Sequence, residues 1–297
     1  MRWTLAHDQT AAQLIQLLIK VSQRIQEERS PLGRCVFHQF RFKDEQGNEL
    51  VRIFSGCSQC RIVTQADITP DQPVALTGGR TGPISRGVNS RISANVLAIE
   101  AREGDRAIDA AILVACDVCS IRTGIQARFR ELVAPRLKGF DINKLILTAT
   151  HTHKGPALDQ ANYDSYEGAM QPDEYVPFMF ERMADAVVRA WESRQRGSLA
   201  WGLGYAMVAQ NRRAVYANGS AEMYGRTDRA ECRGLEGYSD HAVDSLFFLD
   251  EAGAMKAIAV TVPCPAQTDE RGPCGQRISA DFWHDVRQGL KAKHGEK

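Results

Sequence analysis

The chain has 297 residues, 43% hydrophobic and 25% charged, with 37 Lys+Arg against 36 Asp+Glu and a formal net charge of +1. That balance is the one found in soluble globular proteins, and it excludes the disordered, collagenous and coiled-coil classes. Near-neutrality gives no global attraction to nucleic acid, and no apolar run reaches the roughly 18–20 residues that span a bilayer, so neither a nucleic-acid partner nor a transmembrane segment is expected.

In chain order, the opening Met1–Asp8 lacks the apolar core of a signal peptide. Residues 9–28 carry apolar positions at helical spacing (Ala12, Leu14, Ile15, Leu18, Ile19, Ile25), which predicts an amphipathic helix ending near Ser30-Pro31. The stretch from Gly33 to Thr64 is mixed, and regular patterning begins near Ala66, so the chain divides into an N-terminal segment, 1–64, and a main region, 65–297. Residues Ala107–Cys116 form an almost continuous apolar strand. Ser120 is placed to cap a following helix whose stripe is Ile125, Phe129, Leu132 and Val133, stopped by Pro135. A second strand, Lys144–Thr150, comes next. Strand, helix and strand with short joints make a βαβ unit with parallel strands and a right-handed crossover. Beyond it, Asp173–Arg194 has the periodicity of a long helix and Leu199–Val208 that of a strand, followed by a polar loop from Asn211 to Gly225. Val243–Leu249 and Met255–Val262 flank a hairpin turn, Asp250–Gly253, and Ser279 opens a last helix with Asp281 in its first turn. The class is therefore α/β, a mixed sheet containing a parallel βαβ unit with flanking helices and a later β-hairpin.

Ligands in such sheets lie beyond the carboxyl ends of the strands, and the residues there are Asp117 and His151-Thr152-His153. His151 and His153 are two apart, so if strand geometry persists both imidazoles project to one side, as an H-x-H pair of zinc ligands does. Two surface histidines at a turn fit the pair equally well. Asp117 either orients a histidine or caps the next helix. Cys264 ends the last apolar strand, as a metal-binding thiolate or as an inert buried thiol. Arg212 stands after a strand, where a guanidinium can hold a substrate oxygen or simply be solvated. The Gly-rich run Leu76–Gly82 matches neither a P-loop nor a dinucleotide fingerprint and reads as a turn. Eight cysteines include two C-x-x-C pairs, but 55 residues lie between Cys60 and Cys116, too far for a zinc ribbon, and Cys116 and Cys119 are expected to be small buried side chains.

Taken together, Ala66-Asp67-Ile68-Thr69-Pro70, Gly87-Val88-Asn89, Cys116-Asp117, Thr150-His151-Thr152-His153-Lys154-Gly155-Pro156, Asn211-Arg212 and Ile278-Ser279-Ala280-Asp281-Phe282 resemble the N-terminal catalytic region of the neutral/alkaline non-lysosomal ceramidase family. The most specific of these is the T-H-T-H-x-G-P run. The resemblance implies a zinc-dependent amidohydrolase that cleaves N-acylsphingosine, a lipid-like small-molecule substrate, into sphingosine and fatty acid. It makes His151 a Zn2+ ligand, sets His153 beside the scissile bond and gives Arg212 a substrate contact. Cys264 stands where the family has a second histidine ligand. Lys154 replaces the usual serine, and the family's later Glu and Tyr ligands, its Gly-Asp-x-Ser-Pro segment and its C-terminal domain have no counterpart. Relatives are commonly exported, so the compartment stays open. Other readings are a non-catalytic domain on this scaffold, a divergent hydrolase of another amide or ester, and a thiol hydrolase using Cys264 with His151 or His153 as base. A sheet without its later strands would expose an edge, which leads us to expect a homo-oligomer.

Overall fold

The structure is a computed structural model that describes residue 16, the strand backbones within 39–62, and residues 63–78, 82–160, 167–268 and 275–295. Apart from residue 16, the helix expected over 9–28 lies outside the described residues, as do Cys35, Cys274 and the side chains of Cys57 and Cys60.

Seven strands form the central sheet: β3 (Gly56–Asp67), β4 (Ser93–Glu103), β5 (Arg106–Cys116), β6 (Leu145–Ala149), β7 (Arg196–Tyr205), β11 (Ala242–Asp250) and β12 (Met255–Thr261). Their spatial order is β12-β11-β7-β3-β4-β5-β6. All neighbours are antiparallel except β5 and β6, which run parallel from Ile112↔Leu145 to Cys116↔Ala149. The βαβ unit is thus as expected, as is the hairpin of β11 and β12. Two small sheets accompany the large one: β1 (Gln39–Lys43) with β2 (Glu49–Phe54), and β8 (Arg213–Tyr216) between β9 (Ala221–Met223) and β10 (Cys232–Leu235). The latter replaces the expected polar loop. Its central strand buries Ala214 and Tyr216 in strand alternation, a two-residue signal too short to stand out among its polar neighbours.

The main core lies on one face of the sheet. Val96 and Ala98 of β4, Ile112 and Val114 of β5, and Leu145 and Leu147 of β6 meet helices α1 (Ile125–Val133) and α2 (Pro172–Glu192). Phe129 of α1 and Phe180 of α2 meet with ring centroids 5.2 Å apart, and burying a side chain of this kind contributes about 1.5–3 kcal/mol. Helix α1 begins four residues later than Ser120 would place it. Its N-cap is Gly124, at φ 84°, because Cys116–Arg122 is drawn into the loop that builds the site described below. Helix α3 (Phe282–His294) likewise begins after Asp281 rather than at Ser279. Asp281 is its N-cap, and its carboxylate accepts from the Phe282 N–H. Through Phe282 and Val286, α3 closes a second core with Val243, Ala206, Val208 and Ala266. Among the described residues no helix is long and apolar enough to cross a membrane.

Candidate metal and catalytic site

Parallel pairing of β5 and β6 brings the loops after Cys116 and after Ala149 out at the same sheet edge. The second loop is bound to the first: Thr150 N–H donates to Cys116 O at 2.9 Å, and His151 N–H to Val118 O at 3.1 Å. Strand geometry does not persist to the histidines. His151 has φ 64°, a conformation few non-glycine residues adopt, and it costs of order 1–3 kcal/mol. The two imidazoles still converge, with Nε2 atoms 3.3 Å apart and ring centroids at 5.0 Å. A left-handed turn brings them together, where alternation along a strand was expected to do so.

Neighbouring groups direct both rings. His151 Nδ1–H donates to the Cys119 carbonyl at 2.6 Å, which in the neutral ring leaves the lone pair on Nε2. Arg212 Nη1–H donates to Gln267 Oε1 at 3.2 Å. A guanidinium has no acceptor to offer, so the Gln267 amide nitrogen faces the other way and donates to His153 Nε2 at 2.8 Å. His151 Nε2 thus carries a lone pair 3.3 Å from His153 Nε2, whose own single lone pair takes the Gln267 N–H in this structure. Tetrahedral zinc, with Zn–N of about 2.0–2.1 Å, spaces two nitrogen ligands by about 3.3–3.4 Å, and the observed separation fits it.

Cys119 is the third member of the group. Its Sγ is 3.8 Å from His151 Nδ1, and one donor atom each from Cys119, His151 and His153 lies within 4.8 Å of the others. Burial pushes its thiol up, partly offset by a hydrogen bond with the Thr77 side chain and by the charge of Arg122. The loop that supplies Thr77 also covers His153. A Cβ on Gly78 would stand 2.1 Å from the His153 Cγ, and Gly78 has φ 105°, so only glycine fits. Within the run read as a mere turn, Thr77 and Gly78 form part of the site's wall.

The other residues singled out in the sequence are placed as follows. Cys264 lies outside the donor group, because its Sγ turns to Val208 O at 3.8 Å and Pro265 O at 3.4 Å. Burial first, then the charge of Asp281, pushes its thiol up to about 11, with Arg212 pulling the other way. Such a thiol is a poor nucleophile at neutral pH. Asp117 neither contacts a histidine by a hydrogen bond among the described residues nor caps α1. It is fully buried and takes a two-pronged pair from Arg287 of α3 at 2.7 and 2.8 Å, along with Ser93 N–H, Ser93 Oγ–H and Thr150 Oγ–H. It fixes the residue immediately before His151. Arg212 is held by Tyr224, whose hydroxyl accepts from Nη1 at 2.5 Å. Lys154 donates from Nζ to Gly275 O at 2.7 Å. Gln267, Cys119 and Gly78 were not legible as site residues. Cys119 had the one usable signal, its place just past the end of a parallel strand.

No protein-family model matches the chain, and no curated protein matches it significantly. Among solved structures, neutral ceramidase from Pseudomonas aeruginosa and a ceramidase complexed with C2 each match with a TM-score of 0.56 and 20% identity, over 75% of this chain and 35% of theirs. The chain spans about a third of the length of these neighbours. The resemblance read from the sequence is thus met at the level of fold.

Two outcomes check this geometry. Gly78→Ala is expected to destabilise the chain by about 1–3 kcal/mol and to shift the ring resonances of His153, measured by chemical unfolding and by 15N histidine spectra. Alkylation of Cys264, followed by peptide mass mapping, should be slow at neutral pH and rise about tenfold per pH unit toward 11. Fast labelling at neutral pH would restore the thiol-nucleophile reading.

Proposed function

We propose that this protein is a metal-dependent hydrolase of the ceramidase type, cleaving the amide bond of an N-acylated, lipid-like substrate. The observation that carries the proposal is the pair of imidazole Nε2 atoms 3.3 Å apart at the carboxyl end of a parallel strand pair. The fold shared with the ceramidase structures supports the reaction class.

His151 and His153 would hold the cation through Nε2. When bound, zinc supplies Lewis acidity, polarising a carbonyl and lowering the pKa of water toward neutrality. The chain's own groups do the rest. The Cys119 carbonyl keeps the His151 ring in one tautomer and one orientation. The Gln267 amide, aimed by Arg212, holds His153 until a cation takes its lone pair. Arg212 makes both of its side-chain bonds here through Nη1, and a guanidinium carries five donors, so it can also grip a substrate oxygen.

A lipid-like substrate is supported by the surface beside Arg212. Of the nine exposed large hydrophobic residues among those described, Tyr205, Met207, Met223, Tyr224 and Tyr238 belong to the segment around it. Tyr224 lies against the Arg212 guanidinium, Met207 accepts from Gln210, and Ser239, next to Tyr238, accepts from Asn211 N–H. Clustered apolar exposure of this kind marks binding surfaces.

Elemental analysis of the purified chain beside His151→Ala, followed by assay on N-acylsphingosine with and without chelator, tests the proposal. Near one zinc per chain, lost in the variant together with a chelator-sensitive amidase activity, is the expected result. No zinc and no activity in the wild type would leave the fold without this chemistry.

A further inference from the structure

Resting on the reading of His151 and His153 as a cation pair, we infer that the Cys119 thiol is the third protein ligand, which makes the site a Cys-His-His centre for a thiophilic divalent cation. The group formed by Cys119, His151 and His153 brings a sulfur donor to the two imidazoles. The backbone that carries the thiol is fixed to the histidine loop, because Cys119 O holds the His151 Nδ1–H at 2.6 Å and Val118 O holds the His151 N–H, and Sγ lies 3.8 Å from the His151 ring at Nδ1. Thr77 and Gly78 close over the two sides of the group, Thr77 on Cys119 and Gly78 on His153. Cys119 is 9% exposed, sheltered yet within reach of the histidines. The other cysteine raised by the sequence, Cys264, spends its sulfur on two backbone carbonyls.

The donor set has chemical consequences. One sulfur and two imidazole nitrogens favour Zn2+ or Co2+ over Mg2+, Ca2+ or Mn2+, which prefer oxygen. Three protein ligands leave a fourth position open, the pattern of catalytic rather than structural zinc sites. On binding, the metal–sulfur bond forms as the S–H bond breaks, and the proton leaves to solvent. A thiolate gives the cation more charge than a third imidazole would, so its Lewis acidity is moderated.

Titration of the full chain with Co2+ tests the inference by absorption spectroscopy. The wild type should show visible ligand-field bands and a near-ultraviolet sulfur-to-cobalt charge-transfer band. Cys119→Ser should lose the charge-transfer band, keep visible bands and bind more than about tenfold more weakly, whereas Cys264→Ser should keep both. Visible bands without charge transfer in the wild type would overturn the inference while leaving the histidine pair intact. So would charge transfer that survives in Cys119→Ser or vanishes in Cys264→Ser. No cobalt bands at all would overturn both readings. If Cys119→Ser proves unstable, the cadmium-113 resonance of the wild-type chain makes the same distinction: a downfield thiolate shift supports Cys119, and a shift typical of nitrogen and oxygen ligands overturns it.

Discussion

Because β5 and β6 run parallel and in register, the chain leaves both strands at the same edge of the sheet, and everything in the candidate site follows from that pairing. An antiparallel neighbour would have sent the second loop out at the opposite edge. The pairing does not stop at the strand ends. Thr150 and His151 continue it onto Cys116 and Val118, and this forces His151 into its left-handed conformation. The strain, of order 1–3 kcal/mol, is held in place by those bonds and by the ring's own bond to Cys119 O, and it directs Nε2 at His153.

A second set of contacts ties distant chain segments to this edge. Arg287 of α3 reaches fully buried Asp117, which also receives Thr150. Buried ion pairs add little net stability, but removing one partner strands a charge at a cost of about 3–5 kcal/mol. The pair therefore reads as a clamp that makes the position of α3 and that of the histidine loop interdependent. Asp281 does similar work at the head of α3. It sits at φ 57° and accepts from Thr268 Oγ–H at 2.6 Å, anchoring the residue next to Gln267. Through Gln267 that anchor reaches His153.

The parts legible in the sequence were those whose signal is local. The apolar run of β5, the stop at Pro135 and the apolar run of β6 specify a βαβ unit over a few dozen residues, and α2 announces itself by a sustained stripe from Val176 to Trp191. His151 and His153 were legible because they follow a strand closely. Cys119 joins His151 across 32 residues and Gln267 joins His153 across 114, and no periodicity encodes such meetings. Cys264 shows the converse. It stands at a strand end like a ligand, but the direction of a thiol is set by local backbone turns, and here they aim it at Val208 O. The cap of α1 slipped from Ser120 to Gly124 for a related reason, because the intervening residues serve the site rather than the helix.

The central claim is that the two Nε2 atoms define a cation site. Crystals of the full chain grown with zinc, with anomalous diffraction collected on both sides of the zinc edge, address it most directly. The expected result is a single strong anomalous peak within bonding distance of His151 Nε2 and His153 Nε2. A map with no peak there, or with its zinc at Cys264 or among the N-terminal cysteines, would contradict the account.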